Sequence, residues 1–211
     1  MDQPMTLWQL LSQAGWTMVP LYLCSIAGLT LLLRKLAQFR SARVTDFGAL
    51  DALSEEVEDD RLGELAESWS GLGTPLGRVL AVAARALQRH PRRAEEEASR
   101  AAVAELAALE YGLGALAFIA QVAPLFGLLG TVLGMVDLFS GMEAAGDAVD
   151  TGTLSSGIWK ALLTTAAGLM VAIPALGGHA WLGSRLDTLR LKMEDGIGRL
   201  LDPALGRQEA S

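Results

Sequence analysis

The chain has 211 residues, is 51% hydrophobic but only 6% aromatic, and carries a net charge of -7. Its acidic balance argues against a nucleic-acid partner, and its single cysteine, Cys24, excludes an intrachain disulfide. Its three long apolar runs exceed what one soluble core of this length needs, so the expected fold class is an all-α membrane protein with three transmembrane helices.

Residues 1–15 read as an amphipathic N-terminal helix, with Leu7, Leu10 and Leu11 available to lipid and Trp8 and Trp16 as interfacial aromatics. The first span covers 16–33 and stops at Arg34 and Lys35. No basic residue precedes it, so it reads as a retained helix rather than a cleaved signal peptide. Pro20 falls in its outer part. Residues 34–112 form a charged helical region. Within it the turn Gly71-Leu72-Gly73 leads to Thr74 as an N-cap, with Pro75 at the first helical position, and Pro91 interrupts the helix so opened. From Arg92 the pattern shows no stop. One helix is therefore expected over about 92–139, with Glu96 and Arg100 as an i,i+4 pair.

The second span occupies 113–139, a short acidic connection 140–153, and the third span 154–182. A C-terminal helix and tail follow over 183–211, with Leu186, Leu189, Met193, Ile197 and Leu200 at helical spacing for a bundle with the preceding extension. Of the 17 Lys and Arg residues, 11 fall between Arg34 and Arg100 and five from Arg185 onward; Lys160 stands alone. The positive-inside rule then places 34–112 and the C-terminus in the cytoplasm, and the N-terminus and 140–153 in the periplasm.

The second and third spans are unlike plain lipid anchors. Ala123, Gly127, Gly130, Thr131 and Gly134 form a narrow stripe of small residues in one; Gly157, Ala161, Thr165, Gly168, Ala172 and Ala175 form another. Small residues let backbones approach and gain contact where lipid supplies no hydrophobic drive. Two readings stand: helix packing alone, or a crowded multi-helix assembly around a polar path. Thr131 and Thr165 lie at matched depth, roughly 14 Å from the outer surface by helical rise. Thr164 reads as bonding back to its own helix. Pro124 and Pro174 mark expected kinks. Neither span holds a midplane carboxylate, Asp137 reads as interfacial, and His179 as a satisfied structural histidine. Lys160 either snorkels to the outer interface or pairs with a charge from elsewhere. There is no nucleophile elbow, metal-ligand cluster or nucleotide fingerprint, so neither an enzyme nor a cofactor is expected.

The run Ala123-Pro124-Leu125-Phe126-Gly127-Leu128-Leu129-Gly130-Thr131-Val132-Leu133-Gly134-Met135 resembles the second-span signature of the ExbB/TolQ/MotA proton-channel family. Gly157-Ile158, the segment Ala161 to Leu169, and Ala172-Ile173-Pro174-Ala175 resemble its third-span signature. The three-span topology is most like the ExbB/TolQ branch. The resemblance implies a homo-oligomeric ring, typically a pentamer, in the bacterial inner membrane. It would enclose ExbD- or TolR-like single-span subunits that supply the membrane aspartate, with Thr131 and Thr165 lining the path. Such an assembly couples proton-motive force to work on a TonB- or TolA-like protein. The alternative is a non-conducting scaffold that stabilises a partner complex. Two positions depart from the family pattern: Lys160 replaces a glutamate frequent there, and His179-Ala180 replaces a Tyr-Asn pair.

Overall fold

The computed structural model describes residues 18–44, 46–51, 62–145 and 151–209. The expected N-terminal helix over 1–15 and the centre of the 140–153 connection lie outside them. Among the described residues the order is α1 (Met18–Ser41), α2 (Gly48–Asp51), α3 (Leu62–Gly71), α4 (Pro75–Arg89), a 3₁₀ turn (Pro91–Arg93), α5 (Ala94–Glu110), α6 (Leu113–Ala145) and α7 (Thr151–Glu209), with no strand. The runs Met18–Ser41, Pro91–Glu143 and Leu154–Leu201 each contain a stretch long and apolar enough to cross a membrane. The chain is a multi-pass, all-α membrane protein.

The described residues form two compact units: one takes those up to Leu33 and within Gly112–Ala180, the other those within Arg34–Tyr111 and from Trp181 onward. The basic residues divide the same way, with Lys160 the sole Lys or Arg in the first unit.

The second unit is an amphipathic helical bundle. In α4, Leu76, Val79, Leu80, Ala83, Ala84 and Leu87 recur at helical spacing and are buried. Thr74 caps α4 as expected: its Oγ accepts from the Gly77 amide at 3.1 Å, with Pro75 at the first position. Arg78 of α4 donates to both carboxylate oxygens of Glu105 in α5, at 2.7 and 2.6 Å, and that hydrogen bonding holds its pKa above the ordinary arginine value. The stripe Leu186, Leu189, Met193, Ile197 and Leu200 is the buried face of this part of α7. A Cβ at Gly196 would meet Leu50 and Leu80, so α7 lies close against α2 and α4. The Glu96–Arg100 pair forms as expected.

The single helix expected over 92–139 is divided. α5 stops at Glu110, Tyr111 turns extended (φ -51, ψ 122), and Gly112 takes a φ of 89 that side chains disfavour. That glycine closes the helix locally, and a side chain far away in sequence braces the end. Lys35, only 7% exposed, donates to the Leu109 carbonyl at 3.0 Å and to Gln38 Oε1 at 2.7 Å, and Gln38 reaches the Ala108 carbonyl. A cation on last-turn carbonyls satisfies orphan acceptors and complements the helix dipole, which stabilises the end of α5.

Candidate functional site

In the first unit α6 is apolar around its whole circumference, so its orientation must come from shape rather than amphipathicity. The shape is set by the small-residue stripes, which meet. A Cβ at Gly127 would lie 3.0 Å from the Thr164 carbonyl oxygen and from Thr165 Cα, and one at Gly168 would lie 2.7 Å from the Ala123 carbonyl oxygen. Gly134 faces Ala161, and Gly157 faces Leu138. As numbers rise along α6, partner numbers fall along α7, so the helices are antiparallel and nearly backbone to backbone. Ala172 and Ala175 are also buried. Both prolines lie within uninterrupted helix assignments, Pro124 in α6 and Pro174 in α7.

Three threonine hydroxyls flank this seam. Thr165 donates to the Gly127 carbonyl at 3.1 Å, across the helix pair. Thr164, 2% exposed, donates back to Ala161 at 2.7 Å but also reaches the Gly127 carbonyl at 3.2 Å. The bond within its own helix is the one expected from the sequence, and the longer reach to Gly127 adds a contact across the pair. The reason is position: Thr164 stands three residues after Ala161 and four before Gly168, squarely on the contact face. Gly130 makes room for it, since a Cβ there would lie 2.7 Å from Thr164 Oγ. Thr131 donates to its own helix, at the Leu128 carbonyl, 2.6 Å.

Thr131 and Thr165 nevertheless belong to one side of the pair. Each follows a seam residue by four positions (Gly127, Ala161), a rotation of about 40° at 100° per residue. In antiparallel helices the same rotation carries both side chains to the same flank. Both are half-buried.

Among the described residues no carboxylate enters the seam. Asp137 and Lys160 are exposed, and Lys160 makes no ion pair among the described residues. His179 departs from expectation, because its Nδ1 is buried without a partner among the described residues. Between α1 and α7 a cavity of about 250 Å³, lined by Leu21, Tyr22, Gly28, Val171 and Pro174 among others, is almost wholly apolar. Among the described residues no group of three or more His, Cys, Asp or Glu could hold a metal ion.

Residues 73–195, from the turn before α4 to well into α7, match the MotA/TolQ/ExbB proton channel family. The chain belongs to that family. Among relatives of this MotA/TolQ/ExbB chain, Biopolymer transport protein exbB1 of Vibrio cholerae is 32% identical over 193 residues, covering 90% of this chain and 84% of that protein. Putative biopolymer transport protein ExbB homolog of Methanothermobacter thermautotrophicus is 29% identical over 77% of this chain and 57% of its own length. Tol-Pal system protein TolQ of Haemophilus influenzae is 35% identical over 98 residues, 46% of this chain and 41% of that protein. The seam of α6 and α7 lies within the family match.

Proposed function

We propose that the chain is an ExbB/TolQ-like subunit of an inner-membrane proton-channel motor. A ring of copies, typically five in this family, surrounds the single span of an ExbD- or TolR-like subunit. Proton-motive force is thereby coupled to a TonB- or TolA-like protein crossing the periplasm. The observation that carries this reading is the flank of Thr131 and Thr165: two half-buried hydroxyls beside a seam with no acid of its own. Proton transport through a membrane normally needs an intramembrane ionisable group, so the titrating acid belongs on a partner helix. The basic residues gathered in the second unit support a cytoplasmic location for it, with the α6–α7 connection in the periplasm.

The test pairs an assembly measurement with a functional one. The native complex should contain about five copies and a small single-span subunit with a membrane carboxyl. Thr131→Val combined with Thr165→Val keeps side-chain shape, and proton-driven work by the complex should be lost while assembly persists. One observation favours the scaffold reading: all three hydroxyls donate to backbone carbonyls, as pure packing would also produce. Unimpaired work by the double variant would select the scaffold.

A further inference from the structure

The cavity between α1 and α7 stands apart from the threonine seam, and its geometry is independent of the channel role. The two helices run parallel and touch at two levels. Leu21 packs with Ala167 at one level, and a Cβ on Gly178 would collide with a Leu32 methyl group at the other. Leu21 to Leu32 and Ala167 to Gly178 are both eleven residues, roughly 16.5 Å of helix. Between these levels α1 leans on α6 instead: a Cβ on Gly28 would lie 3.2 Å from Ile119 and within 4 Å of nothing on α7. The helices therefore part, and the gap of about 250 Å³ opens between two points of contact.

One end of the gap is closed and its flank is open. Met18, Leu21 and Ala167 at the closed end are 2%, 3% and 6% exposed, whereas Leu29 and Met170, which line the same gap, are 58% and 55% exposed. No lining residue is charged, and the polar side chains are those of Tyr22 and Ser25. Water needs two to four polar partners to settle in such a space. An empty gap would leave its walls without dispersion contacts. Apolar cavities of about 150 Å³ already take up benzene, and the apolar molecule surrounding a membrane span is lipid.

We propose that this cavity seats one acyl chain of a membrane phospholipid, which enters between Leu29 and Met170 and ends against Leu21 and Ala167. Half of the hydrocarbon core is about 15 Å deep, which matches the distance between the two contact levels. A single chain lying along the helices fills the gap, while the second chain and the headgroup stay among bulk lipid. The lining offers no cation to hold a free carboxylate, so the source is a phospholipid and not a free fatty acid. The chain stands in for direct contact between helices, and α1 is held to α7 partly through lipid.

Photolabelling tests the proposal. The full chain in its native complex is reconstituted in vesicles of phosphatidylethanolamine and phosphatidylglycerol. The vesicles are doped with a phosphatidylethanolamine that carries a diazirine at the end of one acyl chain, and adducts are mapped by mass spectrometry. Leu21 and Ala167 should be labelled despite their burial, while Ala161 and Ala172, 3% and 5% exposed and away from the cavity, should not. Val171→Phe should fill the gap and lower both adducts severalfold, with labelling of the exposed Leu23 and Ile26 unchanged. Ser25→Leu adds less bulk from the α1 side and should act in the same direction, which keeps the test alive if Val171→Phe fails to assemble. Wild-type adducts confined to exposed residues overturn the proposal, because protein, a neighbouring copy included, then closes the gap. Adducts at Leu21 and Ala167 that persist in both variants overturn it as well, since lipid then reaches them by another route. Labelling by a diazirine fatty acid but not by the phospholipid refutes the stated source. Proton movement enters none of these readouts, so the channel reading stands or falls separately.

Discussion

One added methyl group at Gly130 should wedge the seam open at Thr164. Its Cβ would sit 2.7 Å from Thr164 Oγ and 2.8 Å from Thr164 Cβ, against a resting carbon–carbon separation of about 3.5–4.0 Å. The helices must part locally by roughly an ångström, because Thr164 cannot swing aside without leaving the Ala161 and Gly127 carbonyls. Overpacking of this kind costs about 1–3 kcal/mol, and the rigid partner argues for the upper end. Replacing a mid-helix glycine returns up to about 1 kcal/mol of helix propensity. The net expectation for Gly130→Ala is a loss of about 2 kcal/mol, roughly thirtyfold in the equilibrium between packed and separated spans. Reversible unfolding in mixed micelles would read it directly. Thr164→Gly removes the clashing atoms, so the double variant should recover part of the loss and show a coupling energy above about 1 kcal/mol. A Gly130→Ala protein as stable as the wild type, with no coupling to Thr164, would refute the close-packed seam.

Lys35→Met keeps the apolar stem but strips a charged donor from the last-turn carbonyls of α5, and should cost about 1.5–3 kcal/mol in the thermal unfolding of the intact chain. Thr74→Ala removes the α4 N-cap and should cost about 1 kcal/mol by the same measurement, with assembly retained. Lys160→Gln should leave native mass and proton-driven work unchanged, since the exposed ammonium holds no ion pair among the described residues; loss of either would show an essential pairing with another chain.

The three spans and the N-cap at Thr74 were legible because each is a local pattern: long apolar runs, and a capping residue followed by proline. The small-residue stripes were legible for the same reason, and the buried face of α7 beyond Arg185 followed from its spacing. The own-helix bond of Thr164 was legible, and its added reach across the seam follows from the helix face it occupies. The series Gly157, Ala161, Thr164, Gly168 advances by four, three and four, which is the signature of a contact seam and would have included it. The break at Tyr111 and Gly112 was hidden differently. The chain there is rich in alanine and leucine, Gly112 alone marks the turn, and the lysine that braces the end of α5 lies 74 residues earlier. The unpartnered Nδ1 of His179 had no sequence signal at all, since hydrogen-bond satisfaction is a property of the folded neighbourhood.

The contact of Gly157 with Leu138 also bears on how this protein can diverge. A Cβ at Gly157 would fall 2.5 Å from a Leu138 methyl, so a side chain at Gly157 requires the leucine end to shift or shrink. A lineage that acquires alanine at the first must already hold something slimmer than leucine at the second, or must pass through a weakened ancestor. Relatives at about a third identity that carry a side chain at the position of Gly157 should therefore hold a residue slimmer than leucine at that of Leu138, and the order of replacements along a family tree should run small-first.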